Sequence, residues 1–243
     1  MTGIYIFSVL FVIDLAIGIW YTVAAHPVVT KKAFWLKMLA SGIFVANGFI
    51  ALLLHGAERY GIMIVVALVL GLIGDALLSW EPFIKHDENE KRNNIIFTVV
   101  GAAFFLAGHI IYIIAFVKEL HYKHAWNRTM FFIAWALILG TAILVKVLIR
   151  VKLGKLAIPF LIYSMGLSAM GAQSITLALN GFAGHPVMQT VLFIAPLCFI
   201  ISDSTLGLKF ADDERFGKLP LRIVTLTTYY AAQMLFGFTI TLM

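Results

Sequence analysis

Charge is what this chain most lacks. Lys, Arg, Asp and Glu together make up 12% of its 243 residues, against about a quarter in a typical soluble domain. With 62% of residues hydrophobic and a mean hydropathy of +0.98, a soluble fold has too little polar surface to cover itself. The bilayer is therefore the expected solvent. Cysteine occurs once, as Cys198 in an apolar run, which excludes a disulfide framework and a cysteine-based zinc site. Of six prolines only Pro196 falls mid-way along an apolar run, so the helices are expected to be otherwise unbroken. Long polar stretches are missing as well, and residues 1–243 read as one transmembrane helical domain. The formal charge of +6 reads as loop charge that orients the chain in the membrane, not as a surface for nucleic acid. The opening "MTGIYIFSVLFVIDLAIGIWYTVAAHP" has no basic leader and carries Asp14 in its centre; it reads as a retained first span.

What is present is a succession of apolar runs, each long enough for the roughly 20 residues a spanning helix needs. They fall near 4–24, 35–54, 60–80, 95–117, 130–149, 156–179, 187–208 and 222–242. The expected fold is an all-α integral membrane bundle of eight helices, probed at the interfaces by Trp20, Trp35, Trp80 and Trp126 near the span ends. Loops after spans 1, 3, 5 and 7, with their flanks, hold Lys31, Lys32, Lys37, Lys85, Lys91, Arg92, Lys146, Arg150, Lys152, Lys155, Lys209, Arg215, Lys218 and Arg222. The opposite side holds only Arg59, Lys118, Lys123 and Arg128. That asymmetry predicts odd-numbered loops in the cytoplasm and both termini outside it, in a plasma or inner cell membrane.

Ionisable groups at membrane depth are costly and by default face the bundle interior or a watery cavity. Asp14, Asp75, His109 and Asp203 qualify, with Asn47, Tyr163, Gln173, Tyr229, Tyr230 and Gln233 as polar companions. Asp75 lies some five residues from the cytoplasmic end of span 3, or about 7 Å at 1.5 Å per residue. Asp203, Tyr163, Tyr229 and Tyr230 come at similar depths, Gln233 lies one turn deeper, and His109 falls past the midplane of span 4. No basic residue neighbours Asp75 in sequence, so Asp75 and Asp203 read as unpaired carboxylates, which are poor interhelical glue and good candidates for chemistry. Asn47 and Gln173 read as glue, Asp14 as a structural contact or a cavity group, and Lys37 as an interface anchor whose position also suits a lipid phosphate.

Taken in order, "GLIGDALL", "AFFLAGHIIYIIAF", "YSMGLSAM", "FIISDSTLGLKF" and "TYYAAQML" resemble the YhhN-type lysoplasmalogenase family of eight-span membrane proteins. The shared positions are Gly74-Asp75, His109 with Tyr112, Tyr163, Ser202-Asp203, and Tyr230 with Gln233; Lys37 matches a family lysine. The resemblance implies hydrolysis of the vinyl-ether bond of a lysoplasmalogen, a lysophospholipid, to a fatty aldehyde and glycerophospho-ethanolamine or -choline. It implies no metal and no other cofactor.

The residues suit that chemistry. Vinyl-ether cleavage needs a proton donor and a negative group near the resulting cation, much as a glycosidase divides work between two carboxyls. One of Asp75 and Asp203 is expected to act as general acid and the other to stabilise the cation or activate water. Tyr163, Tyr230 and Gln233 are expected as hydrogen-bonding partners, with Tyr112 and Ser202 in support and His109 tuning or relaying protons. Two other readings use the same groups: a proton-coupled transporter with an Asp/His relay, and a metal-dependent lipid hydrolase with Asp75, His109 and Asp203 as ligands.

Overall fold

A computed structural model describes residues 2–26, 28–56, 58–84, 89–150 and 157–243. The loop cations Lys85, Lys152 and Lys155, counted above, lie outside the described residues. Eight helices are long and apolar enough to cross a membrane, and among the described residues there is no strand. They are α1 (Thr2–Ala24), α2 (Lys31–His55), α3 (Arg59–Leu78), α5 (Glu90–Tyr122), α6 (Arg128–Ile149), α7 (Ala157–Thr176, continued by a π-helical turn Leu177–Gly181), α8 (Pro186–Ala211) and α10 (Leu219–Thr239). Two single turns, α4 (Glu81–Ile84) and α9 (Asp213–Phe216), lie in the connections. The chain is a multi-pass membrane protein.

Local chemistry sets the helix ends. Thr30 and Asn127 cap α2 and α6, their side-chain oxygens accepting from the amides of Ala33 (3.1 Å) and Met130 (3.0 Å). Pro186 opens α8 from a position where no amide is needed. Gly56 closes α2 with φ 93, a value only glycine reaches without strain. The largest departure from the expected spans is α5. It runs 33 residues where the apolar run covers only 95–117, because polar residues at both ends continue the helix outside the hydrocarbon.

Consecutive helices pack as neighbours, α1 on α2, α2 on α3, α3 on α5, then α6 on α7, α7 on α8 and α8 on α10. The two runs meet where α10 packs on α1 and α2, and where α7 packs on α5. Phe44, Tyr112, Phe116, Phe199, Tyr230 and Phe236 fill the centre at 2% exposure or less. By contrast α6 contributes no buried residue and rests mainly on α7 at the rim. Its exposed Phe132, Leu137 and Leu148 are what a lipid-facing surface requires. Trp20 and Trp35 are likewise exposed near span ends, whereas Trp80 is packed among Phe34, Phe83 and Phe97.

Pro196 sits inside α8 and cannot donate to the carbonyl four residues earlier. That carbonyl, on Leu192, instead accepts from the Ser174 hydroxyl of α7 at 2.7 Å. Of the two amides expected as interhelical glue, Asn47 does join helices, donating to the Met234 carbonyl at 3.3 Å. Gln173 is buried with its oxygen unpaired.

Candidate functional site: a two-carboxylate cavity at one end of the bundle

The C-terminal ends of α1, α3, α6 and α8 gather at one side of the bundle. Arg222 donates to His26, Arg215 donates to the Ile149 carbonyl, and Val29, Glu81 and Phe216 line one cavity together. That cavity, about 230 Å³, reaches inward from this end to Asp75 and Asp203. α3 presents Asp75, Leu78 and Ser79; α8 presents Asp203, Leu206 and Phe210; α10 presents Arg222, Thr225, Leu226 and Tyr229; α5 presents Asn94, Thr98 and Phe105. These spacings of three, four and seven are single helix faces turned to a common space. α3 and α8 are not a packed pair; α10 packs on both.

Asp75 is held by three side chains. Lys37 Nζ stands 3.0 Å from its Oδ1, while Ser41 and Tyr229 donate to its Oδ2 at 2.7 and 2.8 Å. Lys37 also donates to Ser79 at 3.0 Å. Further in, Gln233 donates to the Tyr229 hydroxyl at 3.1 Å and accepts from Tyr112 at 2.9 Å. Gly71 makes this ladder possible, since a methyl group there would collide with the Gln233 amide. Gly74 lets α5 approach in the same way: a methyl would stand 2.7 Å from the Phe105 ring.

Asp203 is held more sparely. Tyr163 donates to its Oδ2 at 2.5 Å. His109 Nε2 lies 3.8 Å from the same oxygen, beyond hydrogen-bonding reach, and neither imidazole nitrogen has a hydrogen-bond partner. The imidazole is packed edge-on against Tyr163 and Phe199. Ser202 is buried beside Asp203 and lines the cavity.

Three expectations are corrected. Asp75 is not an unpaired carboxylate, and Lys37 is not an interface anchor: at 5% exposure it is the buried partner of Asp75. Because the pair joins α2 to α3 across 38 positions, no local pattern in either helix reveals it. The phenol at the carboxylate is Tyr229; Tyr230 is buried with its hydroxyl unpaired and its ring against Gly18 and Phe44. His109, placed past the midplane by counting residues, reaches Asp203 because helical side chains lean toward their own N-termini. α5 and α8 run in opposite directions, so the two side chains lean toward each other. Asp14 is not among the residues that line this cavity, and it is buried with both oxygens unpaired. Asp75, His109 and Asp203 do not converge as a ligand set, and no group of three metal-binding side chains occurs among the described residues. Ser41 and Ser79 were missed, and Tyr229 was noted for its depth but not as a partner of Asp75. Each stands four residues from a residue singled out above, Lys37, Asp75 and Gln233, and that one-turn spacing is the signal that pointed to them.

A multi-pass helical membrane protein with a polar cavity closed around two carboxyl groups is the class that fold and site define. The family model described as the YhhN family matches residues 32–240, and the chain belongs to the YhhN family. All of the cavity's carboxyl-binding groups lie inside the matched region; Asp14 lies outside it. No curated protein and no solved structure matches the chain.

Proposed function

We propose that the protein is a membrane-embedded ether hydrolase that cleaves the vinyl-ether bond of lysoplasmalogens. The observation that carries the reading is that Asp75 and Asp203, from different helices, line one cavity. Membership of the YhhN family is compatible with it. The cavity opens at the basic end of the bundle, which the loop charges assign to the cytoplasmic face.

The unequal surroundings of the two carboxyls divide the work. An ammonium and two hydroxyls aimed at Asp75 are the surroundings of an ionised carboxylate. Asp203 has one phenol and no lysine, and it carries the proton. Asp203 transfers that proton to the alkene carbon β to the ether oxygen, whose π pair forms the new C–H bond, leaving an oxocarbenium ion. The Asp75 carboxylate stabilises this cation. Water adds to the cationic carbon and gives up a proton to Asp203, restoring the acid. The hemiacetal then collapses: its C–O bond to glycerol breaks, the glycerol oxygen takes a proton, and the hydroxyl becomes the aldehyde. One water is consumed. Tyr163 holds the acid in place, and His109 walls the reacting end from the apolar interior.

The test is mass-spectrometric detection of fatty aldehyde from lysoplasmenyl-ethanolamine incubated with the purified protein in nanodiscs, beside an ester lysophospholipid as control. Asp75→Asn and Asp203→Asn should each lower turnover by about 10²–10⁴, the usual range for removing a general acid or base. Undiminished turnover in both would sink the two-carboxylate mechanism. Activity lost to chelators and restored by zinc would favour the metal-dependent alternative.

A further inference from the structure

We propose that Lys209 and Arg222 form a phosphodiester-binding site at the mouth of the cavity, which holds the head group of a single-chain phospholipid and sets how deep its ether bond reaches. The inference rests on the hydrolase reading for the identity of the ether, but the site itself is read from geometry. Most described cations at this end, Lys31, Lys32, Arg150, Arg215 and Lys218, are exposed, as charges that orient a bundle should be. Lys209 and Arg222 are different. Both are half-buried and both line the cavity, one from α8 and one from α10. They are near enough to repel each other, and Lys37 adds to the same positive field. Glu81 and Asp213 are the acidic groups in range, yet among the described residues neither forms an ion pair with them. Among the described residues the Arg222 side chain is engaged by His26, at 3.2 Å. Two like charges turned into one enclosed space, with no ion pair to either among the described residues, are stabilised by an anion between them.

The spacing agrees with a phosphate. Lys209 follows Asp203 by six residues and Arg222 precedes Tyr229 by seven. At 1.5 Å per residue, the two cations therefore stand about 9 and about 10.5 Å nearer the mouth than the carboxyl layer. In a lysoplasmenyl phospholipid, seven bonds separate phosphorus from the alkene carbon that takes the proton, a span of roughly 8 Å in an extended chain. A phosphate seated between Lys209 and Arg222 thus brings the vinyl ether level with Asp75 and Asp203. Leu206 on α8 and Leu226 on α10, which fall between the two levels in sequence and line the cavity, suit the carbon skeleton that joins them.

Comparing lysoplasmenyl-ethanolamine with 1-O-alkenylglycerol, which has the same ether and no phosphate, tests the site. The wild type should favour the phospholipid in KM, and Lys209→Gln/Arg222→Gln should cut that preference about tenfold or more, the usual loss of a charge-assisted contact. Lys209→Arg should restore it. Binding of the uncleavable 1-O-alkyl lysophosphoethanolamine, measured by titration calorimetry in nanodiscs, should weaken likewise in the double variant. Millimolar inorganic phosphate should not displace it; displacement would make this a free-phosphate site and overturn the lipid assignment. An unchanged preference in an active double variant, or unchanged binding, overturns the proposal and leaves the hydrolase reading intact. A wild type that cleaves neither ether yet binds the alkyl lipid through these cations fails the hydrolase reading and keeps the head-group site.

Discussion

Lys37 and Asp75 meet in the apolar layer with hydroxyls on both sides, so the pair is satisfied at nearly every polar atom. Breaking such a pair leaves one charge uncompensated and typically costs about 3–5 kcal/mol, while replacing both partners by apolar side chains can be neutral. Lys37→Met should accordingly lower the thermal unfolding midpoint in detergent sharply, and Lys37→Met/Asp75→Leu should recover much of the loss while remaining inactive. At this scale the sequence exposes the expensive residues but not their partners. Asp75, Asp203 and His109 stand out because ionisable groups are rare in apolar runs. Lys37 does not, because a lysine near a span end is commonplace. Choosing Tyr229 over Tyr230 needs the rotation of α10, and adjacent phenols at one depth do not supply it.

Among the elements, α8 is the one whose integrity depends on another helix. Its proline frees the Leu192 carbonyl, and Ser174 of α7 satisfies it. Ser174→Ala leaves a buried acceptor unpaired and should cost about 1–3 kcal/mol. Thr190, which bonds within its own helix to Pro186, should tolerate the same change with little effect. In a Pro196→Ala background the helix regains its own amide donor, so the Ser174→Ala penalty should largely vanish; unfolding midpoints of the four proteins form the double-mutant cycle. All eight long helices are legible as apolar runs, with ends displaced by a few residues. The displacement is largest in α5 and arises where polar flanks prolong the helix beyond the bilayer. The π-helical turn at Leu177–Gly181 has no comparable sequence signal, since a single inserted residue leaves hydropathy unchanged.

For the whole molecule, loop charge predicts sidedness and packing gathers the C-terminal ends of α1, α3, α6 and α8 at one side. In a Cys198→Ser background, a cysteine replacing Lys123 should react with a membrane-impermeant maleimide in intact cells. One replacing Lys218 should react only after the membrane is opened. The reverse pattern would invert the proposed topology. Depth was readable from counting; neighbourhood was not. Asp75 and Asp203 share a cavity without their helices packing together, because α10 packs on both.

The polar ladder inward from Asp75 has one more consequence. Tyr112 donates to the Gln233 oxygen, the Gln233 nitrogen donates to Tyr229, and Tyr229 donates to Asp75. Membrane proton relays run through Asp, Glu and His side chains, which can take up a proton and release it. An amide can only donate at nitrogen and accept at oxygen, so Gln233 passes alignment along the ladder but no proton. The ladder is an insulator, so the acid chemistry proposed for the cavity would leave the membrane potential intact. Gln233→Glu replaces the insulator with a conductor: liposomes carrying that variant should dissipate a proton gradient faster than wild type, in a fluorescent-dye leak assay. Equal leak in both would show that the gap is sealed elsewhere along the ladder.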